Sequence, residues 1–286
     1  MSKQPGRLYV VATPIGNLDD ITIRASRILA EVDLIAAEDT RVSRKLLSAL
    51  GISTPLVSHY KGQEARQSAG LLKRLQAGED IALISDAGTP AISDPGARLV
   101  AACHEAGIKV IPIPGPSALT ALASVAGVQA ESGFIFSGFL PSQKGKRRKM
   151  LTSLRFEERT FIFYESPHRI KASLADLVEI LGDRPLIVGR ELTKLHEEII
   201  SAPASQALAS LAKRPAIKGE FVVAVMGHAP GGAEEHDSGD IEELLTLLRD
   251  QGELSLKDAT KKLSKDLGIP RKQVYKLALT LWDKKG

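Results

Sequence analysis

A chain of 286 residues is long for one hydrophobic core and points to two domains. Its 43% hydrophobic and 25% charged residues are ordinary for a globular protein, and a net charge of +4 favours an anionic partner only if the excess is clustered. One cysteine, Cys103, excludes an intramolecular disulfide framework and a Cys-based zinc site. No apolar run reaches membrane-spanning length, and Met1 to Gly6 lacks the apolar core of a signal peptide. A cytoplasmic protein with no membrane association is therefore expected.

Taken in chain order, strand-like and helix-like runs alternate. Leu8 to Ala12 reads as a strand ending at the turn TPIGN, followed by a helix from Ile21 to Val32. A second strand, Leu34 to Ala37, ends at Glu38-Asp39, and Ser43 to Leu50 reads as a helix stopped by Gly51. Leu56 to Ser58 is a strand and Ala65 to Gln76 a helix. Ile81 to Ile84 is a strand that runs into SDAGTPAISDPG, and a helix follows from Gly96 to Glu105. Lys109 to Pro112 and a helix from Ser117 to Val125 complete a first domain, 1–126, with a mostly parallel sheet covered on both faces. A second α/β domain, 127–228, has strands at Phe134 to Phe136, Thr160 to Tyr164, Leu186 to Val188 and Phe221 to Val225, with a helix from Ile170 to Leu181. Residues 229–240 have linker composition. After them the pattern is purely helical, and 241–286 reads as a three-helix appendage with a helix-turn-helix look around Leu267 to Pro270.

Several familiar sites lack their expected spacing. TPIGN lacks the G-x-G-x-x-G of a dinucleotide fold, although Glu38 lies where a ribose-binding acid would sit. GKRRK fails as a phosphate-binding loop, because Leu140 and Arg147 stand where glycine and Ser or Thr are required. The six histidines show no metal spacing, so no metal site is expected, and no G-x-S-x-G marks a nucleophilic serine. Cys103 lies in an apolar helical stripe and reads as core. Lys144, Lys146, Arg147, Arg148 and Lys149 place five cations in six positions. They form either a solvated helix start or a clamp for nucleic-acid phosphates. Cations at a helix N-terminus oppose the macrodipole, so helix stability does not account for them.

TPIGN, AAEDTR, SDAGTPAISDPG, PGPSA, FYESPHR, GRELTK and KGEFVV occur in that order. Together they resemble the tetrapyrrole methylase superfamily of S-adenosylmethionine-dependent methyltransferases, in the branch that methylates a ribose 2′-hydroxyl of small-subunit ribosomal RNA. The resemblance covers about Arg7 to Gly227. It implies two α/β domains with a cleft between them, S-adenosylmethionine in the cleft, a homodimer, and a cytidine in the decoding region of 16S rRNA as target. The family's first cofactor turn matches Thr13, Pro14, Ile15 and Gly16. Its backbone contacts match Asp86, Ala87, Gly88, Thr89 and Ile92, and the methionine end matches Ser117 and Ala118. Tyr164, Glu165 and Leu192 are expected on the adenosine side. The tetrapyrrole enzymes carry G-x-G-P-G-D at the first turn, where this chain has ATPIGN with Asn17 in the aspartate position.

Methyl transfer to a ribose hydroxyl requires in-line alignment and removal of the hydroxyl proton. Glu191 and Lys194, at the end of a strand, are the first candidates; Glu165, His168, Glu38 and Asp39 are others. Few aromatics are available to stack splayed bases, which favours an assembled small subunit over naked RNA as substrate. Two other readings stay open: a methyltransferase acting on a small tetrapyrrole, and a non-enzymatic nucleic-acid-binding regulator that senses S-adenosylmethionine.

Overall fold

The computed structural model describes residues 4–128, 133–228, 238–251, 254–267 and 269–282. Contact density divides the chain into two compact units. The first is Met1–Gly127 with Gly189–Ile199, and the second is Val128–Val188 with Ile200–Gly286.

In the first unit, β1 (Leu8–Val11), α1 (Ile23–Glu31), β2 (Leu34–Ala37), α2 (Thr40–Ala49) and β3 (Leu56–Ser58) are followed by α3 (Glu64–Gln76), β4 (Ile81–Ile84), α4 (Ala97–Glu105), β5 (Val110–Ile113) and α5 (Ala118–Val125). The sheet has the order β3-β2-β4-β1-β5, and its pairings are parallel. Strand β2 shows why both faces must be covered. Ile35 and Ala37 join one apolar cluster with Val11, Leu29 and Ile84, while Leu34 and Ala36 join another with Leu83, Leu99 and Cys103. Cys103 is fully buried, and burial pushes its thiol up to about 11. Helix α2 starts at Thr40 rather than Ser43, because the Asp39 carboxylate accepts the Arg41 N–H at 2.8 Å and caps it.

The second unit contains β6 (Phe134–Phe139), α6 (Lys144–Ser153), β7 (Thr160–Glu165), α7 (Ile170–Leu181), β8 (Pro185–Arg190), β9 (Glu198–Pro203), α8 (Ala204–Ala212) and β10 (Phe221–Val225). Its sheet order is β6-β7-β10-β8-β9. Unlike the first sheet, this one is mixed. Strands β6 and β7 are parallel, but β10 runs antiparallel to β7, from Phe221 opposite Glu165 to Val225 opposite Phe161. Strand β9 is only half-buried and lies at the sheet edge, so its pattern carries a weak apolar signal.

Helices α9 (Ser238–Gln251), α10 (Leu256–Leu267) and α11 (Arg271–Trp282) surround Ile241, Leu245, Leu263, Val274 and Ala278. Residues 229–237 of the expected linker lie outside the described residues, and 238–240 are already helical. The three helices are not an isolated appendage. Phe156, which follows α6, packs against their core, and its ring meets His228 edge-on at 5.5 Å.

Candidate active site

Three loops meet at the C-terminal ends of the central strands of the first unit. Thr13, after β1, and Gly88, after β4, exchange two backbone hydrogen bonds of 2.9 Å. The buried Thr13 hydroxyl donates to the Ser85 carbonyl at 3.2 Å. Gly88 has φ +78°, and a Cβ there would stand 3.3 Å from Ile15 Cγ2, so the turn needs glycine twice over. The Thr89 hydroxyl reaches the Pro116 carbonyl at 3.1 Å and ties in the turn after β5, beside the buried Ser117 and the half-buried Ala118. Pro14 and Ala87 are half-buried, while Gly16, Asp86 and Ile92 are exposed on this floor. Asp86 Oδ1 accepts the Asp39 N–H at 2.9 Å, and partial desolvation holds its carboxyl above the ordinary aspartate range. Glu38 is raised too, by burial first and then by the charges of Asp94 and Asp86. Asp39 goes the other way, to about 2, because Arg41 hydrogen-bonds and pairs with it.

The segment after β8 belongs to the same unit. Leu192 is buried, and its neighbours Glu191 (φ 51°) and Thr193 (φ 65°) both occupy the left-handed region. For side-chain-bearing residues this conformation is costly, and it concentrates at functional sites. Hydrogen bonds within the segment hold it: Thr193 N–H donates to Glu197 Oε2 at 2.6 Å, and Lys194 N–H to the Glu191 carbonyl at 3.0 Å. Lys194 Nζ donates to Glu191 Oε1 at 2.7 Å. The Lys194 stem lies over Gly16, where a Cβ would fall 2.2 Å from Lys194 Cγ and 3.1 Å from the Leu192 carbonyl oxygen. Gly16 thus seats the loop. The structure brings Gly16, Leu192, Lys194 and Glu191 together, which sequence spacing alone did not show.

In the second unit Tyr164 packs edge-on against Phe136 and Phe139, with ring centroids 5.0 and 5.6 Å away. Glu165 is buried and committed. Its carboxylate accepts from the Ser166 N–H at 2.9 Å, the Ser173 hydroxyl at 2.6 Å and Arg169 at 3.2 Å. These bonds make it an organiser of the turn after β7 and a poor candidate base, while His168 is exposed.

The basic stretch divides. Lys144, Lys146 and Lys149 are exposed on α6. Arg147 is turned inward and pairs with Asp176 of α7 at 2.6 Å, each side chain only 6% exposed. Arg148 reaches Asp176 at 3.3 Å and Glu179 at 2.5 Å. The expected five-cation clamp is therefore corrected to three exposed lysines. Helical spacing carried the signal: Arg147 lies one turn before the buried Leu151 and two before Leu154, on the face that enters the core.

The model of tetrapyrrole (corrin/porphyrin) methylases matches residues 7–208, and that of an RsmI C-terminal HTH domain matches 235–281. The ribosomal RNA small subunit methyltransferase I of Synechocystis is 46% identical over 277 residues, covering 96% of this chain and 98% of its own. The chain belongs to this methyltransferase family. The relative of the same name from Escherichia coli O157:H7 is also 46% identical, over 96% of this chain and 95% of its own. That from Thermotoga maritima is 46% identical over 222 residues, 78% of this chain and 99% of its own. Among solved structures, a diphthine synthase superposes with TM-score 0.60 at 16% identity, covering 78% of this chain and 90% of its own. A cobalt precorrin-4 methyltransferase gives 0.57 at 18%, covering 76% and 94%. Both share the fold.

Family membership makes the protein an enzyme and sets aside the regulator reading. The floor suits the neutral body of the family's methyl donor: backbone carbonyls and amides, the apolar Ile15, and Asp86 as an exposed carboxylate. Two buried hydroxyls nearby in sequence to these loops, Ser93 Oγ and Thr193 Oγ1, have no hydrogen-bond partner among the described residues. Such groups are costly when left alone and fit a polar ligand.

Proposed function

We propose that the protein transfers a methyl group from S-adenosylmethionine to the ribose 2′-hydroxyl of a cytidine in the decoding region of 16S rRNA. The observation that carries this reading is the Glu191–Lys194 pair, fixed by two left-handed residues and seated on Gly16 of the first turn. The names of the relatives supply the RNA class. The three exposed lysines of α6 suit its phosphates, whereas a small tetrapyrrole gives them no role.

Thr13, Pro14, Ile15 and Gly16, with Asp86, Ala87, Gly88, Thr89 and Ile92, would hold the methyl donor. Ser117 and Ala118 would take its methionine end, and Leu192 its adenosine side. When bound, S-adenosylmethionine supplies a methyl group already activated on a sulfonium. The chain must align the acceptor oxygen and remove its proton. Glu191 suits the proton, because a carboxylate is a base at neutral pH. Lys194, hydrogen-bonded to that carboxylate, would stabilise the oxygen as negative charge develops on it. Lys144, Lys146 and Lys149 hold the RNA backbone, with Arg147 and Arg148 supporting them through the Asp176 and Glu179 pairs.

The substrate is an assembled small subunit in the cytoplasm, and the protein acts as a homodimer. Exposed apolar side chains on the first unit, Ile23 at 91% and Leu195 at 93%, support a further interface. The test is mass spectrometry of small-subunit rRNA from a strain lacking the gene. Loss of one 2′-O-methylcytidine is expected, and an unchanged set of 2′-O-methylated nucleotides would refute the proposal.

A further inference from the structure

Helix α11 turns Val274 and Ala278 into the helical core and leaves Arg271, Lys272, Tyr275, Lys276 and Leu279 exposed. These positions recur at one-turn spacing and form a single stripe. Tyr275 is 42% exposed and Leu279 39%. Beside the stripe lies a hollow of about 680 Å³, lined by Ser255, Leu256, Lys257, Arg271, Lys272 and Tyr275. The lining holds three cations and an aromatic ring, with no carboxylate.

The sign of this charge is not set by the helices themselves. Lys257 lies in the first turn of α10, and Arg271 and Lys272 in the first turn of α11, where the macrodipole disfavours cations. Helix α11 has no acidic residue in its first turn and no basic residue in its last. The acid next to Lys257, Asp258, is committed elsewhere: it accepts the Ser255 hydroxyl at 2.6 Å, and its own N–H donates back to Ser255 Oγ at 3.2 Å. Among the described residues no carboxylate lies within ion-pair distance of Lys257, Arg271 or Lys272. A bound polyanion would reverse these unfavourable interactions at once. The exposed ring narrows the choice. A duplex keeps its base faces stacked, whereas an unpaired base offers a face for tyrosine.

We propose that the hollow and the α11 stripe form an RNA-binding surface separate from α6. It takes a single-stranded segment, with phosphates on Lys257, Arg271 and Lys272 and one base stacked on Tyr275. The proposal rests on the RNA-methyltransferase reading but concerns residues outside the methyl-transfer site.

The test uses the full chain and a labelled, unstructured pyrimidine oligonucleotide of about 12 nucleotides, read by fluorescence anisotropy at several salt concentrations without methyl donor. The double substitution Arg271→Glu with Lys272→Glu should weaken binding about tenfold or more and flatten the logarithmic salt slope by about 1.4, as two lost phosphate contacts require. Tyr275→Ala should cost about fivefold or more, and Tyr275→Phe should bind like wild type. Circular dichroism checks folding; if charge reversal unfolds the helices, Lys257→Gln and Lys272→Gln on exposed positions must flatten the slope instead. An unchanged affinity and slope overturns the proposal, as does Tyr275→Phe binding as weakly as Tyr275→Ala. Equal competition by a polyglutamate peptide of matched charge also overturns it, since that would make the partner an acidic protein. Wild-type methyl transfer to small-subunit rRNA is measured in parallel. Failure there sinks the enzymatic reading, while failure of oligonucleotide binding alone sinks only this surface.

Discussion

Gly16→Ala tests whether the first turn acts by seating Lys194. The added methyl carbon would lie 2.2 Å from Lys194 Cγ and 3.1 Å from the Leu192 carbonyl oxygen, against an ordinary contact of about 3.4–4 Å. Gly16 is not among the positive-φ glycines, so the backbone accepts alanine and the cost comes from the clash. Cγ is in the stem of the side chain, and relieving the overlap moves Lys194 by more than about 1 Å and pulls Nζ from its 2.7 Å bond to Glu191. Overpacking of this kind costs about 1–3 kcal/mol of stability. The catalytic loss should be larger, since a misplacement of about 1 Å in a reacting group costs on the order of 100-fold. The assay is single-turnover methyl transfer to assembled small subunits by wild type, Gly16→Ala, Lys194→Ala and the double variant. Truncation of Lys194 removes the 2.2 Å clash with its stem and leaves only the 3.1 Å approach to the Leu192 carbonyl oxygen, which a shift of a few tenths of an ångström relieves. Gly16→Ala should therefore add less than about 0.5 kcal/mol in the Lys194→Ala background, a strongly non-additive cycle. If Gly16→Ala costs the same in both backgrounds, the seating argument is wrong.

Asp176→Ala should destabilise the second unit by about 3–5 kcal/mol in chemical denaturation, because it strands the buried Arg147 without its partner. Replacing Lys144, Lys146 and Lys149 by glutamate should lower the logarithmic salt slope of RNA binding by about 2 while calorimetry finds methyl-donor binding unchanged. Glu38→Gln should raise the melting temperature at neutral pH. The Glu38 carboxyl is held above its ordinary 4.5 in the folded chain, so the ionised form favours unfolding. The advantage should disappear as the pH falls below 4.5, where wild type is protonated in both states; a gain that persists in acid would contradict the assigned cause.

The first sheet was legible because its strands are continuous apolar runs bounded by turn residues, and β2 and β4 are buried along their whole length. Strand β9 was not, because an edge strand with alternating exposure imitates a loop. The motifs located the floor of the site, but the meeting of Gly16 with Lys194 spans 178 positions, and no local pattern encodes such a contact. The basic stretch shows the opposite failure. Counting charges made Arg147 and Arg148 part of a clamp, and charge alone does not say which side of a helix faces the core. A buried guanidinium with a carboxylate 29 residues away looks the same in sequence as one awaiting a phosphate. Glu165 stood among the candidate bases for a related reason: its partners, Arg169 in the turn after β7 and Ser173 in α7, carry no mark in the sequence that they are spoken for.

The central claim is that the transferred methyl group ends on a ribose oxygen of one cytidine in small-subunit rRNA. A 2′-O-methyl group removes the nucleophile that alkali uses to cut the adjacent phosphodiester. The most direct measurement uses assembled small subunits from a strain lacking the gene, incubated with the protein and isotopically labelled S-adenosylmethionine; their RNA is then extracted and hydrolysed in alkali, and the resistant dinucleotide is read by mass spectrometry. A single labelled, alkali-resistant dinucleotide with 2′-O-methylcytidine on its 5′ side is predicted, and it should be lost in Glu191→Gln. Label on a base, or no label in the RNA at all, would contradict the account.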